Sequence, residues 1–242
     1  MIGKIVTHYK ILERLGGGGM GLVYKAQDLT LDRSVALKFL PPVFSMNEDL
    51  KLKIIQEAKI AATLEHPNIC NIHEVGETED GQIFIVMAYY EGETLKKVIQ
   101  NNSLNRDNLE SIILQIAKGL QQAHDNEIIH RDIKPANIFL TNKNEIKILD
   151  FGVAKVDGDF SFIDVENLKG TIAYMSPEQI SGEEVDQQTD IWAFGVLLYE
   201  LLTGQKPFNS EYEQTALFSI MNDDVSFSDL DLDEHLLYLK KV

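Results

Sequence analysis

The spacing of apolar residues divides the chain into a strand-rich first third and a helix-rich remainder. In the first third, short apolar runs bounded by turn residues predict β-strands. These strands are Tyr9–Leu15, Leu22–Gln27, Ser34–Leu40, Asn71–Gly76 and Gln82–Ala88. One helical pattern interrupts them, because apolar positions recur at spacings of three and four from a capping residue, Asn47, to Leu64. We therefore expect a sheet with one helix packed against it.

Beyond residue 90 the apolar period becomes helical. One amphipathic stripe predicts a helix and consists of Leu109, Ile112, Ile113, Ile116, Leu120 and Ala123. The segment Asp186–Thr203 is apolar on nearly every side, which predicts a helix buried in the core. Between these helices, Ile138–Leu140 and Ile146–Leu149 flank a turn rich in Asn and Lys, a pattern typical of a β-hairpin. The order of elements predicts an α+β fold.

Composition narrows the class of protein and of partner. The chain has 242 residues, of which 44% are hydrophobic and 25% charged, so we expect a globular fold. A formal charge of −16 disfavours a nucleic-acid partner or an anionic membrane surface. The single cysteine, Cys70, excludes an internal disulfide and indicates a buried thiol in a reducing compartment. With no signal-like or membrane-spanning segment, we expect a cytoplasmic location, either alone or as the cytoplasmic domain of a longer protein.

Acidic, basic and amide residues stand at both ends of the predicted hairpin. Asp132, Lys134 and Asn137 precede its first strand, and Asp150 follows its second. Pairing of the two strands brings these ends together, so two carboxylates, an amide and an ammonium converge. Oxygen ligands beside a fixed cation suit Mg²⁺ and phosphate better than a soft metal. The hairpin therefore predicts a site for a nucleoside triphosphate.

The flanking sequences, HRDIKPAN and DFG, resemble the protein kinase family. Either HRD or DFG alone arises by chance in many soluble proteins. Here both occur one hairpin apart, and His130 to Asn137 match H-R-D-x-x-x-x-N position by position. Three further stretches, MGLVYKAQD, VALKFLPP and TDIWAFGVLLYELLTGQKPF, most resemble the bacterial, eukaryotic-like serine/threonine kinases. This resemblance implies a bilobal α+β kinase fold with a mostly β N-lobe that carries one key helix (1–87), a hinge (88–94) and a mostly helical C-lobe (95–242) whose final helices are missing.

The glycines near the amino terminus fit the same family. Gly16, Gly18, Gly21 and Val23 match G-x-G-x-x-G-x-V, although a glycine-rich hairpin turn explains them nearly as well. A strand follows them, which disfavours a dinucleotide-binding motif. Within the family, Met87 corresponds to the gatekeeper, and Ala88, where kinases often carry Glu, contacts adenine through its main chain. The resemblance implies that ATP is bound by Leu15, Gly16, Gly17, Gly18, Gly19, Met20, Gly21, Val23, Ala36, Lys38, Met87, Ala88, Tyr90 and Phe139.

Lys38 and Glu57 are expected to form an ion pair. Lys38 interrupts an apolar strand, where an ammonium is costly unless it is paired, although an exposed lysine on an edge strand is the alternative. Glu57 lies at the centre of the otherwise apolar face of the predicted helix. The resemblance implies that this pair holds the lysine against the α- and β-phosphates.

The resemblance also implies a role for each remaining site residue. Asp132 is the catalytic base and Lys134 neutralises the moving phosphoryl group. Asn137 and Asp150 bind Mg²⁺, with Mn²⁺ as the alternative metal. Thr171 contacts Asp132 and Lys134 through its hydroxyl, and the lysine in DIKPAN indicates Ser and Thr in proteins as substrates. The sequence assigns no oligomeric state.

Two departures from the family pattern leave alternatives open. Glu178 normally pairs with an arginine, but no Arg follows Pro207, so truncation, a natural fragment or compensation by Lys240 or Lys241 must account for it. In the segment 152–170 the only hydroxyl is Ser161, and Glu166 or Asp164 is a candidate substitute for phosphate. Because the expected final helices are missing, a kinase-fold scaffold that binds nucleotide with low or no activity is the alternative function, and a small-molecule kinase is a more distant one.

Overall fold

An antiparallel sheet forms the amino-terminal part of the chain. A computed structural model of the protein describes residues 1–18, 21–151, 171–208, 210 and 212–225. The strands of this sheet are β1 Ile5–Val6, β2 Tyr9–Gly18, β3 Gly21–Asp28, β4 Arg33–Phe39, β5 Ile72–Glu77 and β6 Ile83–Ala88. Their order across the sheet is β1-β2-β3-β4-β6-β5. All the predicted strands are present, and none of their ends shifts by more than three residues.

The register of this sheet aligns several residues predicted to bind nucleotide. Val23 lies opposite Lys38, and Ala36 lies opposite Met87. Because side chains alternate between the two faces of a strand, Ala36 and Lys38 point to the same face of β4. Gly18 pairs with Gly21 at the end of the β2–β3 hairpin, and the two residues of its tip, Gly19 and Met20, lie outside the described part of the chain.

The predicted helix packs beside this sheet as α2, Glu48–Ala61. Asn47 is its N-cap, as expected, and the side chain accepts hydrogen bonds from Asp49 N and Leu50 N at 3.0 and 3.1 Å. Ile54, Ala58 and Ala61 are buried on the inward face. A shorter helix, α1 Val43–Met46, precedes it.

The rest of the described chain is mainly helical. Its helices are α3 Leu95–Gln100, α4 Leu109–Asp125, α5 Pro177–Ser181, α6 Gln187–Thr203 and α7 Glu213–Asn222. The predicted stripe of α4 is buried, and it joins residues of α6 in one large apolar cluster. Gly119 lets α4 pack closely against Ile148, because a Cβ at this position would lie 2.7 Å from Ile148 Cδ1.

A small second sheet crosses the helical part and carries the predicted hairpin. Its strands are β7 Gly92–Thr94, β8 Ile138–Thr141 and β9 Ile146–Ile148, in that order. An isolated parallel bridge joins Ile148 to Ile69, in the loop that follows α2. The hairpin is therefore bonded directly to the segment that leads from α2 into β5. In the described ranges, no helix is both long and apolar enough to cross a bilayer.

The buried face of α4 allows a test of this packing. Ile116 is fully buried, whereas Leu114 on the same helix is 48% exposed. We expect Ile116→Ala to lower the free energy of unfolding by about 2–5 kcal/mol, because it removes packed methyl groups and leaves a cavity. Leu114→Ala is the matched control and should cost less than about 0.5 kcal/mol. Urea unfolding of both variants measures the difference, and equal midpoints would contradict the assignment of the buried face.

Candidate active site

The hairpin brings together the four polar residues that the sequence predicts at its ends. A short 3₁₀ turn, Pro135–Asn137, leads into β8, and Ile138 pairs with Ile148 of β9. Leu149 N donates to Asn137 O at 2.8 Å, which closes the open end of the hairpin. Asp150 follows directly and therefore lies beside the loop that carries Asp132 and Lys134.

Asp132 is the centre of a hydrogen-bonded group. Asn137 Nδ2 donates to both the main-chain oxygen and Oδ2 of Asp132, each at 2.8 Å. Lys134 Nζ lies 2.8 Å from the same Oδ2 and donates to Thr171 Oγ1 at 3.0 Å. The carboxylate is buried and is oriented by an amide and an ammonium. The expected contact between Thr171 and Lys134 is thus present.

Asp190 holds the loop that carries Asp132. Its side chain is fully buried in the first turn of α6. Oδ2 accepts from His130 N at 2.7 Å and contacts His124 Nε2 at 2.9 Å, and Oδ1 accepts from Arg131 N at 2.7 Å. Asp190 therefore anchors the main chain of this loop to the first turn of α6.

His130 connects the two polar segments of the site. Its Nδ1 accepts from Asp132 N at 3.2 Å, so its Nε2 carries the proton and donates to Leu149 O at 2.8 Å. The ring also packs edge-to-face against Phe151, with centroids 4.6 Å apart. One imidazole thus joins the residue before Asp150 to the main chain of Asp132.

Lys38 has a different partner from the one expected. The ammonium is 3% exposed and lies 2.8 Å from Asp150 Oδ1, so the expectation that it pairs with Glu57 is wrong for this structure. Glu57 is half-buried on α2, as its position in the helical pattern predicts. Helical periodicity assigns Glu57 to a face but sets no distance between α2 and β4. Asp150 neutralises the buried ammonium instead.

The predicted adenine-binding residues meet in one apolar cluster of the amino-terminal part. Val23, Ala36, Met87 and Tyr90 belong to this cluster. Ala88 N donates to Asn71 O at 3.0 Å, so the N–H of Ala88 already has an acceptor within the protein. Leu15 is partly exposed near the end of β2, and Phe139 is half-buried on β8.

A narrow cavity extends behind Met87. It is lined by Ala61, Cys70, Ile72, Ile85, Met87, Asp150 and Phe151. It therefore joins the apolar cluster of the sheet to the carboxylate that pairs with Lys38.

The donor set fits Mg²⁺ held jointly with a phosphate. Because both contacts of Asn137 Nδ2 go to Asp132, the amide oxygen of Asn137 is the atom left to bind a cation. Asp150 supplies a carboxylate on the other side of the hairpin. Over the described ranges, no three His, Cys, Asp or Glu side chains are grouped to hold a metal. Mg²⁺ is commonly bound through one or two carboxylates together with substrate phosphates, and this pair of oxygen ligands suits that arrangement.

Glu178 has a partner that the sequence did not indicate. Its Oε1 accepts from Thr189 Oγ1, at the start of α6, at 2.5 Å. Partial burial tends to raise the pKa of the Glu178 carboxyl, but hydrogen bonds from Thr189, its own main chain and Ser176 hold it below the usual range. The candidate compensating residues Lys240 and Lys241 lie outside the described residues, as do Ser161, Asp164 and Glu166.

Gln179 is a site residue that sequence reasoning missed. Its side chain donates to Arg131 O at 2.9 Å, within the loop that carries Asp132. The pattern S-x-x-Q over 176–179 could have indicated a helix start, and Ser176 and Gln179 do form a capping box. The second contact of Gln179 is distant in sequence, so no local pattern predicts it.

Comparison with known proteins places these features in a family. The family model described as "Protein kinase domain" matches residues 9–238. The serine/threonine-protein kinase PrkC of Bacillus subtilis is 41% identical over 213 residues, which are 87% of this chain and 33% of that protein. The probable serine/threonine-protein kinase PknB of Lactococcus lactis is 42% identical over 214 residues, 87% of this chain and 34% of that protein. The chain thus spans about a third of the length of these curated relatives.

A solved structure supports the expected fold. The crystal structure of the PknI kinase domain from Mycobacterium tuberculosis superposes with a TM-score of 0.71 at 28% sequence identity. The match covers 88% of this chain and 79% of that one. The predicted kinase fold and the relationship to bacterial serine/threonine kinases are therefore confirmed.

The role of Asp190 can be tested without an activity assay. Asp190→Asn places an amide N–H₂ against main-chain donors, so we expect the free energy of unfolding to fall by about 2–4 kcal/mol. Asp186→Asn on the same helix is the matched control, because Asp186 caps α6 by accepting from Gln188 N and asparagine caps equally well. Denaturant unfolding of both variants gives the comparison. An equal loss of unfolding free energy in the two variants would contradict the anchoring role of Asp190.

Cys70 provides a pH-dependent test of the packing beside Asp150. Burial, with a smaller effect of the Asp150 charge, raises the pKa of this thiol from 9.0 to about 12. At pH 8 we expect the folded protein to react with a thiol reagent about 1000-fold more slowly than the unfolded chain, because the thiolate is the reactive form. Above pH 9 the unfolded chain releases a proton that the folded one keeps, so stability should fall as pH rises from 9 towards 12. Equal labelling rates at pH 8 would contradict this.

Proposed function

The chain belongs to the protein kinase domain family, and we propose that it transfers the γ-phosphoryl group of Mg-ATP to Ser or Thr hydroxyls of proteins. The observation that carries the proposal is the fixed position of Asp132 between Lys134 and Asn137, on the loop beside Asp150. Phosphoryl transfer depends on positioning and charge neutralisation more than on covalent chemistry by the protein. This arrangement supplies both.

Each residue of the group around Asp132 then has a defined task. Asp132 accepts a hydrogen bond from the substrate hydroxyl and takes its proton as the bond from oxygen to phosphorus forms. A carboxylate can take this proton because the hydroxyl becomes more acidic as that bond develops. Lys134 offsets the negative charge of the moving phosphoryl group, and Thr171 keeps the ammonium in place through its hydroxyl. Asn137 prevents the carboxylate from rotating.

The nucleotide is held by the sheet and by Lys38. The glycine-rich hairpin covers the phosphates, and the main chain of Ala88 and Tyr90 receives the adenine next to Met87. Asn137 Oδ1 and Asp150 would hold Mg²⁺, or Mn²⁺ in its place, which neutralises phosphate charge when bound. For Lys38 to contact the α- and β-phosphates it must release Asp150, and Glu57 is the carboxylate on α2 that would then pair with it. We assign residues 1–87 to the N-lobe, 88–94 to the hinge and 95–242 to the C-lobe, and the reaction to the cytoplasm.

One observation favours a second candidate function, a kinase fold that binds nucleotide and turns over little. Lys38 pairs with Asp150, so the proposed phosphate-binding ammonium and a proposed metal ligand contact each other. A chain that stays in this state binds partners or nucleotide without transfer. The presence of every expected catalytic side chain supports the active enzyme over this scaffold.

Phosphate transfer from labelled ATP to a generic protein substrate tests the proposal. We expect Asp132→Asn to lower kcat by at least about 100-fold while ATP binding is retained, because only the proton acceptor is removed. Asp125→Asn, an exposed change of the same kind on α4, should leave kcat unchanged. Binding of ATP by the unaltered chain with no transfer would favour the scaffold, and transfer that survives Asp132→Asn would refute the proposed role of this carboxylate.

A further inference from the structure

We propose that Gln179 is a positioning residue for the catalytic loop, and that it acts by holding the peptide unit between Arg131 and Asp132. The inference rests on the proposed function, since it concerns the placement of Asp132. Gln179 lies on α5 and is 9% exposed, so its amide is almost wholly inside the protein. Its Nε2 donates to Arg131 O at 2.9 Å.

The peptide unit that Gln179 contacts is held at both of its polar ends. The oxygen, on Arg131, accepts from Gln179, and the N–H, on Asp132, donates to His130 Nδ1 at 3.2 Å. A peptide unit is planar, so two bonds at opposite ends set the orientation of the plane. That plane ends at the Cα of Asp132, so its orientation helps to determine where the Asp132 side chain points.

Arg131 also has a backbone conformation that needs support. Its φ is +65°, in the left-handed region that residues with a side chain rarely adopt. Such conformations persist only where the surroundings hold them. Asp190 binds the N–H of Arg131 at 2.7 Å and Gln179 binds its oxygen, so both main-chain polar groups of this residue are held by side chains of other elements.

Gln179 is itself fixed by a buried chain of hydrogen bonds. Its Oε1 accepts from Ser176 N at 3.1 Å, and its own N–H donates to Ser176 Oγ at 3.4 Å. Ser176 Oγ contacts Thr189 Oγ1 at 3.3 Å, and Thr189 donates to Glu178. The amide therefore cannot turn over without breaking the cap of α5. The start of α5 is in this way connected to the loop that carries the proposed base.

Removal of the amide donor should affect turnover and not nucleotide binding. We expect Gln179→Met, which is similar in length and uncharged, to lower kcat at least about 10-fold while KM for ATP stays within about twofold, because the hydrogen bonds of the Gln179 side chain go to Ser176 and Arg131, which are not among the proposed nucleotide-binding residues. Gln187→Met is the matched control. Gln187 also donates to a main-chain oxygen, that of His124 at 3.0 Å, but it is exposed and lies outside the loop.

A conservative variant separates the hydrogen bond from packing. Gln179→Glu keeps the acceptor for Ser176 N and regains a donor for Arg131 O only when its carboxyl is protonated. We therefore expect kcat of this variant, relative to that of the unaltered chain, to rise as pH falls from about 8 to about 6. A flat ratio across this range would overturn the proposal.

Hydrogen exchange gives a readout that does not depend on activity. Amide exchange over residues 130–133 should be faster in Gln179→Met than in the unaltered chain and in Gln187→Met. Unchanged exchange there, or a kcat within twofold of the unaltered chain, would overturn the inference, as would a joint loss of ATP binding and melting temperature. No transfer by the unaltered chain would instead refute the proposed function, and the exchange rates would still decide whether Gln179 holds the loop.

Discussion

The structure depends most on the buried carboxylate of Asp190. A charge removed from water is costly unless several donors surround it, and here two successive main-chain N–H groups and one imidazole do so. These donors belong to the loop of His130 and Arg131 and to the end of α4. The helix α6 therefore serves as a rigid base to which this loop is attached, and the positions of Asp132, Lys134 and Asn137 follow from that attachment.

A second electrostatic constraint governs the nucleotide side of the site. Lys38 lies in an apolar strand and needs a carboxylate, and the hairpin presents Asp150 at 2.8 Å. The same two groups are the ones that a metal-bound triphosphate would contact in the proposed reaction. The ion pair therefore neutralises both charges, and a triphosphate that binds Lys38 would have to compete with Asp150 for it.

Much of this arrangement could be predicted from the sequence because its signals are local. The hairpin, the cap at Asn47 and the buried stripe of α4 follow from residue spacing, and the convergence of Asp132, Asn137 and Asp150 follows from strand pairing. The partner of Lys38 could not be predicted in this way, because periodicity gives the face of α2 and not its distance from β4. Gln179 and Thr189 were missed for a related reason, since their important contacts join segments that are distant in sequence.

The parallel bridge between Ile69 and Ile148 has a mechanical consequence for α2. Because the bridge ties the loop after the helix to the hairpin, the carboxyl end of α2 is the end nearer this attachment, and a tilt of the helix about that end would displace its amino end most. At 1.5 Å per residue, Glu57 lies about 6 Å from Ala61 at the carboxyl end of α2, whereas Glu48 at the amino end lies about 20 Å from it. Such a tilt would move Glu57 about threefold less than it moves Glu48. A large displacement of the amino end would thus become a small one at Glu57, which is half-buried on the helix.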